Sequence, residues 1–213
     1  MPAFLEPVAL IMVGWLFGLL GPAIVDAIKQ EKEHKRGRIA IITELEEFAT
    51  TIATAAYRVK MSHGTMDREF LTKMKSVIDE YPQSASVAPL REGVETFLGL
   101  DDVALSALAQ HGANPPQVGL ALQHYPVPLL DSRVSALMTF DTAFQRHLLQ
   151  LRREITILDA LVDRSEKFMD LTFTGIDATN RRLASESHDS ACANYATRAI
   201  RIVEKIRAIK SEV

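Results

Sequence analysis

The sequence predicts an all-α protein: a single N-terminal transmembrane helix, then an elongated antiparallel helical bundle carrying a short-helix insertion. Three observations lead there. Residues Pro7 to Val25 read PVALIMVGWLFGLLGPAIV, a run with no charge, and a Lys/Arg cluster follows at once. Past that run, apolar residues recur in steps of three and four, the helical period. No stretch alternates apolar and polar residues as a half-buried strand would.

The apolar run comes first. A spanning helix needs roughly 18 apolar residues or more, and 7–25 would rise about 28 Å against a hydrocarbon core of about 30 Å. Glu6 and Asp26 close it. A cleaved signal peptide needs a basic n-region before the apolar stretch, and here the positive charge lies behind it. An interfacial helix needs a polar face, which this run lacks. A buried core helix is the remaining alternative. Gly14 and Gly18 form a GxxxG pair that Gly21 extends, a small-residue edge along which two spanning helices can approach. Pro22 removes a backbone donor and bends the last turns.

Orientation follows from the basic flank. Lys29, Lys32, Lys35, Arg36 and Arg38 stand against Glu31 and Glu33, while residues 1–6 hold no Lys or Arg. Lys/Arg excess marks the cytoplasmic side, so the N-terminus is expected outside and the rest of the chain in the cytoplasm, a bacterial inner membrane being the favoured setting. The lone Cys192 excludes an internal disulfide and suits a reducing compartment. Formal net charge is −3, so no nucleic-acid partner is expected. This divides the chain into an anchor (1–28), a basic juxtamembrane stalk (29–38) and a cytoplasmic bundle (39–213). Gly37 is the weak point of the stalk.

Within the bundle, the first helix is expected over 38–63, with Ile41 or Ile42, Leu45, Phe48, Ile52, Ala55 and Val59 inward and Gly64 as its stop. Asp67 caps a second helix reaching Tyr81, with Phe70, Leu71, Met74, Val77 and Ile78 as its apolar side. Residues 82–128 contain six of the nine prolines and read as short helices and turns. From Leu129 to Phe173 a long helix is expected. Its seam is Val134, Leu137, Asp141, Phe144, Leu148, Leu151, Ile155, Leu158, Val162, Ser165, Met169 and Thr172, over about 60 Å. Asp177 caps a last helix whose seam runs back from Ile209 through Ile206, Ile202, Ala199, Tyr195, Cys192, His188 and Ser185 to Arg181.

Few residues suggest chemistry. His188 and Cys192 are four apart on one helix and can meet, and a His beside a thiol can generate a nucleophile. The plain alternative is that both fill the seam. Ser187, His188 and Asp189 resemble a triad only in print, because consecutive helical residues point about 100° apart. Glu31 and His34 have E-x-x-H spacing but sit in a solvated charge run, so no metal and no cofactor are expected. Asp141 interrupts an apolar seam, either as a buried polar group that sets register against Arg181 or Arg182, or as a half-exposed residue. Arg198, Arg201 and Lys205 line a basic face.

The expected function is binding: a membrane-anchored adaptor, scaffold or regulatory subunit, with the lipid bilayer held through 7–25 and a protein partner or homo-oligomer. The alternatives are a membrane-tethered enzyme using His188 and Cys192, or carboxylates gathered by folding, and a purely structural subunit of a membrane complex.

Overall fold

The computed structural model describes residues 5–114, 120–132 and 140–211; within 5–23 only Met12, Trp15 and Gly18 are described beyond the backbone. The described residues are helical with turns and irregular connections, and no strand occurs among them. The chain divides into two compact units, Met1–Ile41 and Ile42–Val213.

The first unit carries the start of helix α1 (Leu5–Ser62), which continues through Gly37. No helix is long and apolar enough among the described residues to cross a membrane, so the spanning helix expected over 7–25 finds no support in them. Gly14 and Gly21 lie outside the described side chains, and a Cβ on Gly18 would meet nothing within 4 Å. Lys29, Lys32, Lys35 and Arg36 are exposed, with Arg38 half-buried. Glu31 accepts an ion pair from Lys35 at 2.8 Å, an exposed i,i+4 contact of small energetic weight.

The second unit is built on the remainder of α1, with Leu45, Phe48, Ala49, Ile52, Ala53, Ala56, Tyr57 and Val59 buried. The buried arc is wider than the expected stripe and uses Ala53 and Ala56, while Ala55 is only half-buried. Small side chains there let neighbouring elements approach from two sides. Gly64 ends the turn after α1 with φ +63°, a left-handed conformation open to glycine. Helix α2 (Arg68–Glu80) follows. Asp67 caps it by accepting from the Phe70 amide at 2.8 Å, and its buried side is the expected Phe70, Leu71, Met74, Val77 and Ile78.

After a 3-10 turn (Ala88–Leu90) come α3 (Arg91–Leu98) and α4 (Asp102–His111). Helix α3 runs antiparallel to α2: Asp79 pairs with Arg91 at 2.9 Å, Lys75 with Glu95 at 3.8 Å, and Arg68 with Asp102 at 2.8 Å. The region is not a detachable appendage. Val87, Val94, Phe97, Leu105, Ala109 and Val127 are all buried.

Among the described residues the expected long helix is interrupted before Thr142. A short α5 (Pro128–Ser132) stands apart from α6 (Thr142–Phe173), which spans about 48 Å rather than 60. Val134 and Leu137 fall outside the described residues. Glu44 of α1 accepts from the Leu129 and Leu130 amides at 2.7 and 2.8 Å, satisfying donors that a helix start leaves open. Asp141 is the N-cap of α6, exposed, and accepts from the Phe144 amide at 2.8 Å. The reading of Asp141 as a buried polar group is corrected: a helix that starts at Thr142 places it before the seam, where a short carboxylate serves the free amides. From Phe144 the expected seam holds through Ser165, every position buried, and then fades, with Met169 and Thr172 half-buried.

Helix α7 (Ala178–Ser211) returns along α6. Glu154 meets Lys205 at 2.7 Å, and Ser165, farther along α6, meets His188, farther back along α7, at 3.1 Å, so the pair is antiparallel. Helix α7 also runs antiparallel to α1, since His63 pairs with Asp189 at 3.3 Å and Glu46 with Lys210. Its C-terminal half is buried on two sides, adding Ala196, Ile200 and Val203 to the expected Tyr195, Ala199, Ile202, Ile206 and Ile209. Arg181, the first expected seam position, is exposed.

Candidate functional site

The polar residues that the sequence placed in the seam meet inside the bundle. Ser165, on α6, is 1% exposed; His188 and Cys192, one turn apart on α7, are 4% and 0% exposed. The helical period brings His188 and Cys192 to one side, and the antiparallel return brings Ser165 opposite them. His188 Nδ1 lies 3.0 Å from the Ser165 carbonyl oxygen and 3.1 Å from its Oγ. A carbonyl only accepts, so in the neutral ring Nδ1 carries the hydrogen and Nε2 the lone pair. Cys192 Sγ is 3.6 Å from that Nε2 and 3.6 Å from Ser165 Oγ. A single scheme serves the whole group: Nδ1–H donates to the carbonyl, the thiol donates to Nε2, and the Ser165 hydroxyl donates to sulfur.

This arrangement is suited to holding two helices in register, not to attacking a substrate. Burial pushes the Cys192 thiol up, aided by the Asp189 charge and opposed by the Ser165 hydrogen bond. A nucleophilic cysteine needs the opposite, a stabilised thiolate reachable from solvent. Asp189 turns away from this group toward His63. Cys192 in the native protein is therefore expected to resist an aromatic disulfide reagent at pH 8 and to react fully in denaturant. Rapid stoichiometric labelling of the folded chain would refute this.

A second constellation absorbs the basic face expected on the last helix. Arg198 and Lys205 both donate to Glu154 of α6, whose side chain is 18% exposed. The Lys205 hydrogen bond, with the charges of Lys205 and Arg198, holds the Glu154 carboxyl below the usual range against the opposing effect of burial. Arg207 pairs with Glu80, and Lys210 with Glu46 and Glu80. The Lys210 ammonium also lies 4.7 Å from the centre of the Tyr81 ring, a cation–π distance. Burial and then the neighbouring Glu80 push the Tyr81 hydroxyl up to about 12. Arg201 stays exposed.

An open groove of about 650 Å³ borders these residues, lined by Glu46, Glu47, Thr50, Glu80, Tyr81 and the turn that follows Pro82. Two of its three carboxylates are held by Lys210 and Arg207. Thr50 donates within its own helix to the Glu47 carbonyl at 2.9 Å. The groove thus presents no convergent set of acid, base and nucleophile. Among the described residues no three His, Cys, Asp or Glu side chains are grouped to hold a metal ion.

Comparison with protein-family models, curated proteins and solved structures finds no match to this chain.

A third constellation escaped the sequence reading. His124, in the irregular segment before α5, reaches Asp159 and Asp163 of α6. The only local signal was a carboxylate pair four apart on one helix. The histidine that meets it lies 35 residues away from Asp159, beyond any helical period.

Proposed function

We propose that the chain is a membrane-held helical interaction protein, an adaptor or regulatory subunit whose bundle works by binding. The N-terminal helix is its anchor and the bundle lies in the cytoplasm. The observation that carries this reading is the apolar surface of the first unit. Met12, Trp15, Ile24, Val25 and Ile28 are each 50% exposed or more, on a helix whose residues 7–25 contain no charge. Leaving such side chains in water costs about 25 cal/mol per Å², and a lipid or protein environment removes that cost. The basic flank supplies the orientation. The Gly14, Gly18 and Gly21 edge offers a route to self-association within the bilayer. A binding role is also favoured by the second unit, where His188 and Cys192 are buried against each other and Glu154, Glu80 and Glu46 are paired with cations.

The test is fractionation. The full chain is expected in the membrane pellet and to remain there after alkaline carbonate washing, while a chain of residues 29–213 moves to the supernatant. A full chain recovered in the supernatant would overturn the anchor. Recovery of the same partners by the 29–213 chain as by the full chain, after cross-linking, supports a binding role for the bundle; absence of any partner from both would overturn it.

A further inference from the structure

We propose that His124 is a proton-operated latch that fastens the irregular segment 120–127 onto α6 when charged and loosens it when neutral. This inference stands independently of membrane attachment. His124 Nδ1 lies 3.2 Å from an Asp159 carboxylate oxygen, and Nε2 lies 3.1 Å from one of Asp163. Ionised carboxylates only accept hydrogen bonds, so both contacts are made together only by a ring that carries hydrogen on both nitrogens. Loss of either proton sets a nitrogen lone pair against a carboxylate and breaks one of the two contacts.

Among the described residues, the side-chain hydrogen bonds from 120–127 to α6 are those of His124. Arg152 reaches Asp131 at 3.3 Å near its far end, and the buried Val127 and Leu130 pin that end. The polar attachment of the middle of the segment therefore rests on His124, which is flanked by the half-buried Leu122 and Tyr125. Helix α6 supplies Asp159 and Asp163, with Glu166, Lys167 and Asp170 farther along the same ridge. Helix α7 supplies Tyr195, fully buried, on which Asp159 and the segment's own Tyr125 act electrostatically. The Tyr195 hydroxyl has no hydrogen-bond partner among the described residues. The latch thus lies beside a buried polar atom that opening would make available.

The sign follows from the geometry. The Asp159 hydrogen bond raises the His124 pKa above the ordinary imidazole value; burial opposes it, and the charges of Asp159 and Asp163 and the Asp163 hydrogen bond add to it. A raised histidine contributes its stabilisation fully below the unfolded value, and loses it as pH climbs through the folded value. The latch is closed below the ordinary imidazole value and opens as pH climbs through the raised folded value. His124 is about half exposed, so solvent screens the effect and the shift in population is modest.

The test uses the full chain in detergent micelles, with NMR titration of the His124 ring and amide exchange over 120–127, expressed as protection factors so that intrinsic exchange is divided out. Wild-type protection is expected to fall about 3- to 10-fold between roughly pH 6 and pH 9. His124→Gln should abolish the pH dependence. Asp159→Asn with Asp163→Asn should return the ring's midpoint to the ordinary imidazole value. A wild-type midpoint at or below that value would overturn the latch. So would protection that falls in parallel in wild type and His124→Gln.

Discussion

Leu148→Ala should destabilise the bundle by about 3–5 kcal/mol, whereas Leu149→Ala, one residue on, should change stability by less than about 0.5 kcal/mol. Leu148 is fully buried in the α6 seam, and Leu149 is 53% exposed. Truncating Leu148 removes the transfer free energy of its methyl and methylene groups. It also leaves a void between helices whose register is already set elsewhere, by the Ser165–His188 contact and by Glu154 with Arg198 and Lys205. Those polar ties hinder the backbone from collapsing into the space, which places the cost toward the upper part of the range. For a chain of this size the loss corresponds to a melting temperature lower by roughly 6–20 °C. Urea unfolding followed by circular dichroism measures both variants. Equal midpoints would refute the seam.

Gly64→Ala is the second large effect, at about 2–4 kcal/mol. Gly64 adopts φ +63°, where a Cβ costs about 1–2 kcal/mol by itself. That Cβ would also lie 3.1 Å from Ala113 Cβ and 3.2 Å from the Ala109 carbonyl oxygen, the second being backbone that yields only if the end of α4 moves. The Asn114 amide donates to the Ser62 carbonyl at 2.8 Å across the same junction, so displacement there strains a hydrogen bond as well. Gly175→Ala is the control. Its Cβ would meet nothing within 4 Å and its φ is not positive, so reduced freedom of the unfolded chain should leave stability unchanged or raise it by about 0.4–1 kcal/mol. Thermal unfolding of the pair checks this, and an equal loss for both would show that conformation at Gly64 is unimportant.

These variants also separate what was legible in the sequence from what was not. The α6 seam from Phe144 to Ser165 and the buried side of α2 were readable residue by residue, because helical burial repeats within three or four residues. Asp67 and Asp177 were readable as caps for the same reason: each carboxylate serves amides two or three residues ahead. Asp141 misled because its spacing fits the seam as well as it fits a cap. Only the position of the helix start, at Thr142, separates the two roles.

The candidate site was half legible. His188 and Cys192 were paired correctly by their spacing, but Ser165, which completes their network, reaches them only through the antiparallel return of α7. The basic face of α7 was visible, while its neutralisation by Glu154, Glu80 and Glu46 was not. The same holds for the residues after Pro82: prolines announced short pieces, and only packing turned Val87, Val94 and Phe97 into core.

The sequence by itself determined the all-helical class, the phase of each long seam, the stop at Gly64 and an uncharged N-terminal run with a basic flank. Those properties are local, set by side-chain period, capping and charge within a few residues. Tertiary structure alone decided that Ser165 closes the His188–Cys192 network, that Glu154 gathers two cations and that His124 stands between Asp159 and Asp163. Each of these joins residues 23 to 51 positions apart, and such partners are chosen by how helices return on one another, which no short-range pattern encodes.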